Sequence, residues 1–201
     1  MSSAVKRTSS VQAAINLVFN ERKKHMNIWH DISPKRISPE DFVCVVEISK
    51  GSKKKYELDK ETGMLILDRI LYTSTRYPAN YGFIPRTYAD DLDPLDVLLL
   101  CSEELAPLTL VRSYPIGVIS MIDNGRNDEK IIAIPYSDPT YQKYTDIAQL
   151  PEHIFDEMRH FFSVYKALEG KETAVNEVSG PENAVEIIEK AIDSYIEHYC
   201  K

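Results

Sequence analysis

The chain has 201 residues, 43% of them apolar and 27% charged, which is enough for one well-filled core and too little for two comfortable domains. Its formal net charge of -7 excludes an electrostatic grip on nucleic acid or on an anionic membrane surface, while leaving room for a small anionic substrate held by local cations. No apolar run approaches the roughly 18 to 20 residues of a membrane span, and the first residues lack the apolar centre of a secretory signal.

Residues 1–27 read as an N-terminal extension. They are basic and serine-bearing through residue 24, with the single acid Glu21, so organellar targeting stays open. Ser9 or Ser10 is placed to cap a short helix whose Val11, Ala14, Ile15, Val18 and Phe19 share one face. Residues 28–201 read as one domain. From Phe42 to about Pro135, turn-forming Gly, Asp, Asn and Pro separate short strand-like runs: Phe42 to Ile48, Lys55 to Leu58, Met64 to Ile70, Val97 to Cys101, Ser113 to Met121 and Lys130 to Ile134. Strands spaced in this way suggest a small closed sheet, because closure removes exposed edges. The last third reads as helical, with one stripe formed by Ile154, Met158, Phe161, Phe162, Tyr165 and Leu168. A second stripe comprises Val185, Ile188, Ile192, Tyr195, Ile196 and Tyr199, and Pro151 and Pro181 stand near the helix starts. The expected class is α+β, a closed barrel flanked by two C-terminal helices. Cys44, Cys101 and Cys200 are scattered and odd in number, as reduced thiols of a cytoplasmic protein would be.

The segment Asp90-Asp91-Leu92-Asp93-Pro94-Leu95-Asp96 packs four carboxylates against the start of an apolar strand. Such a cluster must be solvated, partly protonated or neutralised by hard cations. An EF-hand is excluded, since counting from Asp91 places Leu95 at position 5, Asp96 at position 6 and Ser102 at position 12. An aspartyl-phosphate phosphatase is a poor match, because its nucleophile would follow an apolar strand and here the strand follows the acids. A Mg²⁺ cradle remains, with Asp91 and Asp96 on metal, Asp93 free to handle a proton, and Pro94 stiffening the loop. The competing reading is an ordinary solvated loop.

A second acidic turn, Asp123 through Lys130, also lies between apolar runs and could converge with the first. Lys55, Arg69, Lys130 and Lys166 stand beside apolar strand or helix residues, and Lys55 and Glu57 share a strand face. Each cation could simply pair with a nearby acid; together with the excess of carboxylates they fit a Mg²⁺-phosphate substrate. The segment Tyr77 to Pro85 is rich in turn and aromatic residues, and its phenols can bond phosphate oxygens without adding charge. The five histidines show no zinc-ligand spacing.

Asp91-Leu92-Asp93-Pro94-Leu95-Asp96-Val97 resembles the signature of family I soluble inorganic pyrophosphatases, although Leu92 stands where many relatives have a smaller residue. The resemblance continues through Val45 to Ile48, Lys55 to Lys60, Asp68-Arg69, Tyr77 to Gly82, Asp123 to Lys130 and Phe161 to Lys166, and spans about residues 29 to 195. Trp29-His30-Asp31 and Gly82 through Thr87 look most like the plant-type branch.

The resemblance implies a five-stranded barrel of the oligonucleotide-binding type that hydrolyses pyrophosphate with several Mg²⁺ ions. It implies that Asp91, Asp96 and Asp128 hold a first metal, that Asp96 is shared with a second, that Asp123 and Asp128 take a metal arriving with substrate, and that Glu47 acts on a fourth. Lys55, Arg69, Tyr81, Lys130, Tyr165 and Lys166 match phosphate-binding positions; Glu57 and Tyr77 match supporting ones. Asp93 matches the residue that orients, or takes a proton from, the attacking water, with Tyr81, Lys55 and Arg69 beside it in the catalytic set. Asn124 replaces an acid found in some relatives, and the spacing of Glu169-Gly170-Lys171 leaves Lys171 outside the expected site. The alternatives are a nucleotide or polyphosphate hydrolase and a non-catalytic single-strand-binding barrel. A homo-oligomer is compatible with the chain; nucleic acid and membrane partners are not expected.

Overall fold

A computed structural model describes residues 26–123, 125–171 and 173–200. The helix expected between residues 9 and 19 lies outside these residues, as does Asn124.

Nine strands and two α-helices organise the described chain: β1 (Phe42–Ile48), β2 (Lys54–Leu58), β3 (Leu65–Ile70), β4 (Asn80–Phe83), β5 (Asp96–Leu99), β6 (Leu110–Asp123), β7 (Arg126–Asn127), β8 (Lys130–Pro135), α1 (Glu152–Val164), β9 (Thr173–Ser179) and α2 (Pro181–Tyr199). Five strands are joined into a hydrogen-bonded ring in the order β1-β4-β5-β8-β6, with β6 pairing back onto β1. The sheet is mixed, because β5 and β8 run parallel while the other pairs are antiparallel. β7 and β9 extend it from β6.

Alternation along the strands divides the buried side chains into two sets. Val97, Leu99, Ile131 and Ala133 join Phe42, Cys44 and Val46 in a cluster that receives Ala184, Ile188 and Ala191 of α2. Leu98, Ile132 and Ile134 face the other way and pack with Phe155, Met158, Phe161 and Phe162 of α1. Both helices therefore close apolar faces of the ring, and the polar ends of its strands are left for other purposes.

The structure differs from the sequence expectation in four places. β2 and β3 form a separate two-stranded sheet instead of joining the ring. The fifth ring strand is β4, drawn from the segment read as turn and aromatic chemistry; at four residues, with Asn80 and Gly82, it offers little alternation to detect. Residues 173–179, which fall between the two expected helical stripes of the last third, form the edge strand β9 on β6. The α1 stripe stops before Leu168, which is exposed just ahead of the left-handed Gly170 that ends its 3-10 turn.

On α2 the most buried positions are Ala184, Ile188, Ala191 and Tyr195, while Val185 and Ile192 are half-buried and Ile196 is exposed. Small side chains let the helix approach the sheet closely, and a stripe read from large residues overlooks them. Among the described residues no helix is long and apolar enough to cross a membrane. Their three cysteines are free, and burial pushes the Cys44 thiol upward.

Candidate active site

The acidic loop, the ends of several ring strands and the β2–β3 hairpin enclose a cavity of about 410 Å³. Its walls include Glu47, Lys55, Glu57, Arg69, Tyr81, Asp91, Asp93, Asp96, Asp123, Asp128, Lys130, Tyr165 and Lys166. Every residue expected in the site is therefore brought together except Tyr77. That residue lies buried behind the wall, its ring centroid 5.3 Å from Tyr81 and 4.8 Å from Phe161.

Strand pairing explains the convergence. Asp96 opens β5 and Lys130 opens β8; the parallel register pairs these two residues, so both side chains emerge at one rim. Asp123 ends β6, and the turn beyond it returns Asp128, whose N–H donates to the Met121 carbonyl at 2.9 Å. Tyr81 lies on β4 and Glu47 on β1, two strands that are themselves paired. Tyr165 caps the C-terminus of α1 and Lys166 follows it. In the hairpin, Lys55 and Arg69 are direct cross-strand partners.

The charges interlock. Lys130, almost fully buried, pairs with both Asp96 and Asp128, and Tyr81 Oη donates to Asp96 Oδ2 at 2.5 Å. Lys166 Nζ pairs with Asp123 Oδ2 at 2.6 Å. Lys55 pairs with Glu57 and lies 3.2 Å from Asp68, which also pairs with Arg69. Arg69 Nε donates to Glu169 Oε1 at 2.8 Å. Glu47 Oε1 accepts the N–H of Leu58 at 2.9 Å and so ties the hairpin to β1.

Burial, followed by the charge of Asp96, raises the Glu47 carboxyl well above its ordinary range and Asp91 to about 6. Asp96 is itself raised, because burial and Asp128 outweigh what Lys130 restores. For Lys130 burial acts to lower the ammonium, yet Asp96 and Asp128 prevail and raise it. Burial, helped by Asp96, also raises the Tyr81 phenol and keeps it a hydrogen-bond donor.

The donor set suits a hard cation. Among the described residues the candidate metal ligands that line the cavity are carboxylate and phenol oxygens, several carboxylates are held where they resist ionisation, and Asp123 Oδ1 is buried without a hydrogen-bond partner. Among the described residues no three acidic, histidine or cysteine side chains form a closed metal cage; Lys130 stands between Asp96 and Asp128, and Lys166 on Asp123. On the cationic side, Arg69 Nη2 is likewise buried without a partner. An unpartnered donor and an unpartnered carboxylate oxygen at one cavity suit an anion and a cation bound together.

The inorganic pyrophosphatase family model matches residues 44–196. The chain belongs to family I of the soluble inorganic pyrophosphatases. It is 48% identical over 171 residues to soluble inorganic pyrophosphatase 2 of Chlamydomonas reinhardtii, an alignment covering 85% of this chain and 89% of that protein. It is 51% identical over 170 residues to soluble inorganic pyrophosphatase 1 of Arabidopsis thaliana, covering 85% and 80%. These algal and plant relatives agree with the branch read from the sequence. Among solved structures, the inorganic pyrophosphatase of Thermus thermophilus superposes with a TM-score of 0.80 at 35% identity, covering 85% of this chain and 99% of that one.

The cavity also holds residues outside the expected set. Lys171, whose spacing argues for a place outside the site, lines the wall, as do Lys60, Asp68 and Tyr56. Glu169, which holds Arg69, belongs to the same Glu169-Gly170-Lys171 segment. Asp68 was detectable as the acid adjoining Arg69, and Lys60 as the end of the Lys55 to Lys60 block. Asp90, at the head of the acidic loop, stays outside the cavity wall and bonds Lys190 and Asn127 at 3.3 Å at the surface.

Leu92, the residue that departs from the family signature, has a φ of 73°. Left-handed backbone costs a non-glycine residue about 1–2 kcal/mol, and this side chain is exposed, so it recovers little by packing. Leu92→Gly should therefore raise stability by up to about 1 kcal/mol after the added chain entropy of glycine is allowed for. A higher melting temperature is the expected reading, and a lower one would show that the leucine makes a compensating contact.

Proposed function

We propose that the chain hydrolyses inorganic pyrophosphate to two orthophosphates in this cavity, with several Mg²⁺ ions held by its acids. The observation that carries the reading is the pairing of chemistries in one cavity: a hard-oxygen set that includes Asp123, with its unpartnered Oδ1, and basic groups that include Arg69, with its unpartnered Nη2. Family membership and this composition favour pyrophosphate over the nucleotide-hydrolase and single-strand-binding alternatives. The five-strand ring supports a small barrel of the oligonucleotide-binding type, and the free cysteines and relatives named as soluble support a cytoplasmic setting.

Asp91, Asp96 and Asp128 would hold one ion, with Asp96 shared with a second; Asp123 and Asp128 would take one that enters with substrate, and Glu47 would serve a fourth. When bound, Mg²⁺ neutralises phosphate oxygens and acidifies nearby water. Asp93 would orient the attacking water or accept its proton. Lys130 and Lys166, which pair with acids and also line the cavity, can pass hydrogen bonds to phosphate oxygens, joined by Lys55, Arg69, Tyr81 and Tyr165. Glu57 pairs with Lys55, and Tyr77 packs behind Tyr81. In a loose transition state charge gathers on the leaving phosphate, where these donors act without any covalent enzyme intermediate.

The test measures phosphate release from pyrophosphate, ATP and tripolyphosphate with Mg²⁺, for the parent and Asp93→Asn. Release from pyrophosphate in preference to the other two, and a fall of about 10²-fold or more in Asp93→Asn, are expected for a group that handles the proton. Absence of Mg²⁺-dependent release from pyrophosphate would overturn the reading; preference for ATP would move it to a nucleotide hydrolase.

A further inference from the structure

The β2–β3 hairpin carries two of the phosphate-binding candidates, Lys55 and Arg69, yet its sheet is separate from the ring. The turn at its tip, residues 59–63, meets the acidic loop through Lys60. The Lys60 ammonium pairs with Asp93 Oδ1 and donates to the Leu92 carbonyl at 3.3 Å. It also lies 5.8 Å from the ring centroid of Trp29, within range of a cation–π contact. The backbone of the same residue is held as well, since its carbonyl accepts from Asn27 Nδ2 at 3.0 Å. Gly63 shows how closely the tip is seated: a Cβ there would lie 3.0 Å from backbone atoms of Met26 and Asn27.

We propose that Lys60 is a positioning residue for Asp93, clamping its carboxylate at the cavity wall and keeping hairpin and acidic loop in register; this rests on the reading of Asp93 given above. Lys60 and Asp93 are each about half-exposed, so the pair contributes little to stability. Its value is geometric. One ammonium grips a side chain and a backbone carbonyl of consecutive loop residues, while its own residue is anchored from behind by Asn27. Small displacements of a group that orients a nucleophile are costly to rate. A purely structural role would instead loosen the hairpin and weaken substrate binding through Lys55 and Arg69.

Steady-state phosphate release from pyrophosphate with saturating Mg²⁺ separates these roles in the parent, Lys60→Met, Lys60→Arg, Asp93→Asn and the Lys60→Met/Asp93→Asn double variant. Lys60→Met should lower kcat about tenfold with KM within about twofold, as expected for a modest misplacement of the reacting geometry. Lys60→Arg should recover most of the loss, and Lys60→Met should add no loss in the Asp93→Asn background. An unchanged kcat, a defect confined to KM, or a full additional loss in the double variant would overturn the role of Lys60 while leaving an impaired Asp93→Asn in place. Full activity of Asp93→Asn itself would overturn the reading of Asp93 and this proposal with it.

Discussion

Asp96→Ala should lose at least about 10³-fold in Mg²⁺-dependent pyrophosphate hydrolysis, equivalent to about 4 kcal/mol of transition-state stabilisation. Three groups depend on this carboxylate: Lys130 pairs with it, Tyr81 donates to it at 2.5 Å, and in the proposed site two metal ions share it. Its removal leaves Lys130 with Asp128 alone and deletes the one acid common to both ions. Titration of activity with Mg²⁺ should show the half-saturating concentration rising by about tenfold or more, because a hard cation loses a charged oxygen ligand. Circular dichroism should remain like that of the parent, since β5 keeps its backbone pairing. An unchanged Mg²⁺ dependence would contradict the role assigned to Asp96.

Gly82→Ala should destabilise the protein by about 4 kcal/mol or more, a magnitude reserved for a few mechanisms of which backbone collision is one. Gly82 on β4 pairs with Val46 on β1, and a Cβ at this position would lie 1.8 Å from the Val45 carbonyl oxygen and 2.9 Å from Val46 Cα. No side chain can rotate away to relieve the clash, so the two strands must separate and open the ring. Glu47 and Tyr81 sit on those strands and line the cavity, so activity should fall with stability. Denaturant unfolding measures the effect, and a midpoint close to that of the parent would show that the strands can separate at little cost.

The contrast between these two positions shows what a linear reading can detect. Asp96 announces itself through four acids in seven residues followed by an apolar run, because like charges so close together demand an explanation. Gly82 does not. Its constraint comes from a backbone almost forty residues earlier in the chain, and a glycine in a turn-rich segment carries no mark of that neighbour. Lys60 and Glu169 illustrate the same limit for charged residues: each looks like a solvated side chain until folding sets it beside Asp93 or Arg69.

The chemical inventory, the long apolar strands, the two C-terminal helical faces and the resemblance that points to pyrophosphate are legible in the chain alone, because these reside in residue type and local spacing. Long-range pairing is what makes β4 complete the ring, sets β2 and β3 apart from it, and lays residues 173–179 along β6 between the two helices. It also decides which acid faces which cation. Those outcomes depend on hydrogen bonds and packing between segments far apart in the chain, and the parallel register of Asp96 with Lys130 is the clearest case: two residues with all of β6 between them in the chain become one charged pair only when their strands align.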